Sequence, residues 1–285
     1  MSRHRVALII VAGLCLSACS QQSGTPPQAT APASTSPSPS TPSPDKLLKR
    51  ISIPDGARDS TADMRLTVEL PGGRRGVLEF RLQRKYSPDS VSTFLQVTAP
   101  REQTDQALLA IERPGKPTEA TSYLAGLKKL AKLSSSSTLT FQETKVTVQE
   151  LLALELGQYT SAEGERATED GQAVVKYKLT APAGRGLAFP QITAWFRESD
   201  MTPVKFELFD ERGALQKTAK IEQVTEIEGH QTVMRSAIKD LPQNRTLSLE
   251  TRAIKFNQGL NAELFTEEHL MAVINGASRR LLEGK

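Results

Sequence analysis

From Pro190 to Phe256 apolar and polar residues alternate with a period of two, broken only by short polar clusters. Ile192, Ala194 and Phe196 interleave with Gln191, Thr193 and Trp195, and Val204, Phe206 and Leu208 with Lys205, Glu207 and Phe209. Ala219 and Ile221 sit among Lys220, Glu222 and Gln223, and Leu247, Leu249, Thr251 and Ala253 among Ser248, Glu250 and Arg252. Successive side chains of a strand point to opposite faces, so each run predicts a strand with one apolar and one wetted face. The breaks at Ser199-Asp200, Glu211-Arg212-Gly213, Glu228-Gly229 and Leu241-Pro242-Gln243-Asn244 carry turn chemistry. The pattern predicts an antiparallel meander whose apolar face must be covered by some other part of the chain.

Upstream, Leu47, Leu48 and Ile51 have the spacing of a short amphipathic helix before Pro54. Met64, Leu66, Val68 and Leu70 alternate, Pro71-Gly72-Gly73 turns, and Leu78, Phe80 and Leu82 alternate back, which predicts a hairpin. Val91 to Val97 and Ala107 to Glu112 read as two more strands. The stretch from Ser122 to Leu133 fits a helix by its leucine spacing and fits strand–turn–strand equally well. Thr147 to Leu154 reads as a helix, with Thr147 and Glu150 forming a capping box and Val146 facing Leu151 as a staple. A further hairpin straddles an acidic loop, Glu163 to Gly171, with Ala173, Val175, Tyr177 and Leu179 alternating after it. Phe265-Thr266-Glu267-Glu268 opens a last helix running to about Leu282. Ten or eleven strands with few helices make the chain mainly β (α+β): a large, strongly curved antiparallel sheet or an unclosed barrel.

The N-terminus has another character. Arg3 and Arg5 precede an uncharged apolar run from Val6 to Ala18, shorter than the ~20 residues that cross a bilayer, so residues 1–18 read as a signal peptide. Leu16-Ser17-Ala18-Cys19 resembles the lipobox of bacterial lipoproteins. That resemblance implies that Cys19 is lipidated as the first mature residue, anchoring the chain through acyl chains worth ~0.8 kcal/mol per buried methylene. Ser20 after the cysteine points to the outer membrane by the lipoprotein sorting rule. Residues 19–45 are then the lipidated cysteine and a tether of Ser, Thr, Pro, Ala and Gln that cannot bury apolar area. Residues 46–285 are left as one large β-domain.

Composition then removes most chemistry. Cys15 leaves with the signal peptide and Cys19 is taken by lipid, so the domain has no disulfide and no thiolate nucleophile. Loss of Arg3 and Arg5 lowers the net charge from +4 to +2, too little to point to nucleic acid. His230 and His269 stand apart with no metal-ligand spacing, and no G-x-S-x-G motif occurs. The acidic residues Glu163, Glu165, Glu169 and Asp170 lack the alternating spacing of a calcium loop. No enzymatic activity, metal or cofactor is expected. Lys128, Lys129 and Lys132, with Arg84 and Lys85 as further members, are a candidate basic patch for anionic head groups or a partner, set against an ordinary solvated face.

The order of motifs resembles the LolA-like outer-membrane lipoprotein-sorting proteins. The residues that carry this are Ser122-Tyr123-Leu124-Ala125 with Lys128-Lys129, Phe141 to Leu151, Trp195-Phe196-Arg197, the hairpin Val204 to Lys217, and Phe265-Thr266 to Leu270. Ala125 stands where that pattern has Pro, and Gln142-Glu143 and Lys145 where it has Gly and Asp. The resemblance implies an unclosed β-barrel of about eleven strands, with lid helices in its mouth and an apolar concave face that holds acyl chains. The candidate lining residues are Leu66, Val68, Leu78, Phe80, Leu95, Val175, Tyr177, Trp195, Phe206, Leu208 and Leu249. Of the neighbours Trp195 and Phe196, one must point outward. The residues themselves fit a cavity and an ordinary filled core alike. The function implied is a lipid-anchored periplasmic protein that carries or receives lipid or lipoprotein acyl chains at the outer membrane. The alternative is a non-enzymatic interaction or sensor module with a filled core, accessory to a membrane transporter.

Overall fold

The computed structural model describes residues 47–48, 53–70, 72–124, 129–141 and 144–283. Sixteen strands occur among them: β1 (Asp59–Glu69), β2 (Arg75–Ser87), β3 (Ser90–Ala99), β4 (Ala107–Glu112), β5 (Glu119–Leu124), β6 (Lys129–Leu133), β7 (Thr138–Phe141), β8 (Thr144–Thr147), β9 (Thr160–Ser161), β10 (Glu165–Glu169), β11 (Gln172–Thr180), β12 (Gln191–Arg197), β13 (Pro203–Phe209), β14 (Leu215–Ile227), β15 (His230–Asp240) and β16 (Arg245–Phe256). Two α-helices are described in full, α1 (Val148–Leu151) and α2 (Glu267–Glu283). Fourteen strands make one sheet in the order β10-β11-β12-β13-β14-β15-β16-β1-β2-β3-β4-β5-β6, with β9 against β11. Every pairing is antiparallel and the sheet is not closed: β6 and β10 end it.

The meander forms where the alternation predicts it. Its tightest turns need two residues with positive φ, and Asp170-Gly171 (48° and 78°) and Glu228-Gly229 (50° and 81°) supply them. The stretch from Ser122 to Leu133 resolves as strand–turn–strand on its described residues, since Tyr123 pairs with Leu130 and Ser122 with Ala131. The strand count exceeds the expected eleven because β7, β8, β9 and β10 are too short to show a period. Glu165 to Glu169 lies in β10 rather than in a loop. Its carboxylates pair across strands: Glu165 with Lys176, Glu169 with Lys205 and, at the turn, Asp170 with Lys220.

Each face of the sheet has its own core. On the outer face Phe94, Ala107 and Leu109 are buried under Phe265, Leu270 and Ile274. Helix α2 lies there, capped by Thr266 Oγ1 accepting from the His269 amide. The His269 ring stands edge-on to Phe94 at 5.0 Å, and His230 packs on Phe256 at 4.3 Å, so both are packing residues. The inner face carries two clusters. One holds Val175, Tyr177, Ile192, Phe196, Phe206 and Leu208; the other holds Leu66, Leu78, Phe80, Leu95, Val97 and Leu108. Leu47 and Leu48 are buried in the first, while Ile51 of the expected short helix lies outside the described residues.

Candidate functional site

The inner face is where the candidate lining residues meet. Leu66, Val68, Leu78, Phe80 and Leu95 are buried in one cluster with Leu249 packed against it, and Val175, Tyr177, Phe206 and Leu208 are buried in the other. Trp195 is the exception. A bulge between Trp195 and Phe196 leaves Ala194 opposite Phe206 and Phe196 opposite Pro203. Ala194 and Phe196 therefore turn inward, and Phe196 meets the rings of Tyr177 and Phe206 edge-on. Trp195 faces outward beside Lys176 and Lys205, whose Nζ lies 4.6 Å from the ring centre.

The β7–β8 hairpin and residues 148–159 after it, with Leu47 and Leu48, cover this face. The Thr147–Glu150 capping box forms as expected, but the helix behind it stops after one turn instead of reaching Leu154. The chain then enters a 3-10 stretch, Ala153–Gln158, in which Leu154 and Glu155 take φ of 67° and 49°. Residues with a Cβ avoid that region unless their surroundings impose it. What imposes it here is burial on both sides of the break: Val148, Leu152, Leu156 and Tyr159 all face the sheet and are at most 5% exposed. Gln149 ties the segment together. It donates to Leu154 O and Tyr159 Oη, and its Oε1 accepts from the amides of Ala188 and Phe189. Tyr159 in turn donates to Phe189 O at 2.6 Å, and burial raises its pKa above the usual phenol range. Gly164 closes the Tyr177 side: a Cβ there would lie 2.5 Å from Val175 Cγ1. These residues form a plug.

Two buried polar groups flank the plug. Toward the β14–β16 end, Lys217 Nζ pairs with Glu150 Oε1 at 2.6 Å and lies 3.4 Å from Asp240. Asp240 accepts from Arg245, whose Nη2 also donates to Lys145 O of β8 at 2.7 Å. The sheet thus grips the plug by its charges. At the far ends of β2 and β4, Arg84 and Glu112 face inward close to Glu155 of the plug. Thr118 donates to Glu155 Oε1, while Glu155 Oε2 and the nearby Ser135 Oγ complete no hydrogen bond. Burial raises the Glu155 pKa, against the hydrogen bond of Thr118 and the charge of Arg84. Glu112 is pushed up to about 8, chiefly by burial, with Arg84 lowering it and Glu155 raising it. Arg84 Nε and Nη2 and Thr93 Oγ1 are buried without a partner.

The basic patch does not assemble among the described residues. Lys132 pairs with Glu267 of α2, and Lys85 donates to Leu260 O at 2.6 Å. Arg84 turns inward. Lys129 lies three residues from Lys132 on β6, hence on the opposite side of the strand. Lys128 and Cys19 lie outside the described residues.

Comparison with known proteins bears on the fold. No curated protein matches the chain. Among solved structures, a domain from Vibrio parahaemolyticus described as that of an outer membrane lipoprotein-sorting protein is 20% identical, with a TM-score of 0.69 over 79% of this chain and 97% of that one. A DUF1329 family protein from Desulfovibrio piger is 15% identical, with a TM-score of 0.71 over 79% and 97% of the two chains. A LolA superfamily protein from Nitrosomonas europaea is 18% identical, with a TM-score of 0.63 over the same shares, 79% and 97%. These similarities show that the open antiparallel sheet has the LolA-like fold. A family model described as "Uncharacterized protein" matches residues 89–272, more than half of the chain, and the chain belongs to that family.

Proposed function

We propose that the protein binds acyl chains of lipids or lipoproteins on its inner face and carries or receives them in the bacterial envelope, without catalysing a reaction. One observation carries this reading. The apolar inner face is covered mainly by one stretch of chain, the small β7–β8 hairpin and residues 148–159 that follow it, joined by Leu47, Leu48 and Phe189, and not by a second large sheet. Such a cover can leave as a unit, exposing Leu66, Phe80, Leu95, Tyr177 and Phe206 to an alkyl chain. Exchanging plug for ligand then replaces one apolar contact by another, at ~25 cal/mol per Å² of buried area. The lipoprotein-sorting description of the Vibrio relative supports the same direction. The Cys19 lipobox and Ser20 add the expectation of an outer-membrane anchor with the domain in the periplasm.

The packing of Leu152, Leu156 and Phe189, none more than 4% exposed, favours a second reading: an interaction or sensor module whose plug stays in place. Native mass spectrometry separates the two. The full chain, exported to the periplasm with Cys19→Ser to prevent lipidation and purified gently, is expected to carry a stoichiometric added mass that extracts into organic solvent. A bare chain that also fails to bind a fluorescent fatty acid would sink the carrier and leave the interaction module.

A further inference from the structure

Arg84 occupies an inner-face position in a row that is otherwise apolar. Leu78, Phe80, Leu82 and Arg84 follow one another on the same side of β2. Its cross-strand partners are Ser60 on β1 and Thr93 on β3, and Thr93 in turn faces Ala110, which faces Ala120. Small side chains therefore surround the guanidinium, while the next row inward, Leu82–Leu95–Leu108, is aliphatic. Both Nε and Nη2 are shielded from solvent and donate to nothing, and the hydroxyl directly across from them, Thr93 Oγ1, is equally without a partner. Leaving such donors unpaired costs more than an ordinary hydrogen bond gains. Three idle polar atoms at the end of an apolar row are what an amphiphile with its chain along Phe80, Leu95 and Leu108 would meet with its polar end.

We propose that Arg84, with Thr93, anchors the anionic head group, a carboxylate or a phosphate, of the amphiphile whose chain lies on the inner face. The inference rests on the carrier reading and adds the class of ligand. Two glutamates stand nearby, but neither hydrogen-bonds the two free guanidinium nitrogens. Burial pushes the Glu112 pKa up to about 8 and raises that of Glu155 as well, and Glu155 Oε1 is taken by Thr118. A bidentate, charge-assisted contact to the head group would satisfy both free nitrogens at once.

Displacement of a fluorescent alkyl probe from the full Cys19→Ser chain at pH 7 tests this with palmitate, hexadecanol, lysophosphatidic acid and inorganic phosphate. Palmitate and lysophosphatidic acid are expected to bind about ten- to a hundredfold more tightly than hexadecanol, which has the chain without the charge. Arg84→Gln is expected to bring palmitate down to the level of hexadecanol. The comparison of palmitate with hexadecanol needs no variant, so it stands even where Arg84→Gln does not fold. Equal affinities for the two in the unaltered chain overturn the anchor and leave the carrier intact. Failure of every alkyl ligand to bind overturns the carrier and the anchor together. Millimolar phosphate is expected not to displace palmitate; displacement by phosphate would replace the head-group anchor with a free-anion site.

Discussion

Replacing Asp240 with alanine is expected to lower the stability of the fold by about 3–5 kcal/mol, the usual cost of stripping one partner from a buried ion pair. Asp240 is 1% exposed and accepts from Arg245 Nε and Nη2 at 3.2 and 2.9 Å, from Gln243 Nε2 at 3.1 Å, and faces Lys217 Nζ at 3.4 Å. Without it Arg245 keeps only the Lys145 carbonyl, and its side chain is itself 1% exposed. Lys217 keeps Glu150. Both residual contacts belong to the plug, so the variant leaves uncompensated charge where plug and sheet meet. Urea unfolding measures the loss. The pair Arg65–Glu79 serves as a control: its side chains are 34% and 39% exposed, and Glu79→Ala is expected to cost under about 1 kcal/mol. Equal costs at the two sites would show that the Asp240 network is solvated and does not hold the plug.

The second large effect depends on pH. The folded-state pKa of Glu112 lies near 8, above the 4.5 of the free side chain, because burial disfavours its charge more than Arg84 restores it. A raised pKa means that the unfolded chain gives up the proton first. The contribution of Glu112 is therefore complete below pH 4.5, falls as pH rises, and is fully lost above about 8. At about 1.4 kcal/mol per unit the loss across that window amounts to a few kcal/mol. Glu112→Gln removes the titration. It is expected to match the unaltered chain within about 0.5 kcal/mol at pH 4 and to exceed it by a few kcal/mol at pH 8.5. A difference that stays constant with pH would mean that Glu112 ionises freely in the fold.

The strands were legible wherever alternation ran long enough. β1, β2, β11 to β14 and β16 follow from period-two runs and β15 from the turn residues on either side of it, and the turns at Asp170-Gly171 and Glu228-Gly229 follow from residues that accept positive φ. The capping box at Thr147 was equally plain. Which way Trp195 points was not, because alternation gives two faces and leaves open which one is buried; the bulge beside Phe196 and the rings of Tyr177 and Phe206 decide it. The one-turn helix at Val148 has a local start signal and no local stop signal, since the turn at Leu154 and Glu155 is imposed by packing. Lys217, Asp240 and Arg245 read as polar positions near turns, and only the plug lying over them makes them buried. Arg84 could have been found from sequence. It continues the even-numbered row Leu78, Phe80, Leu82 on β2, and a charge in an inward row is a signal that burial does not hide.

Hydrogen exchange on the full Cys19→Ser chain, with and without saturating palmitate, bears most directly on whether the inner face is a binding surface under a removable plug. Faster amide exchange over residues 144–159 on adding palmitate, with β2, β3 and β4 still protected, is the expected result. Palmitate that binds while residues 144–159 stay as protected as before would place the ligand elsewhere and make the plug a permanent part of the core.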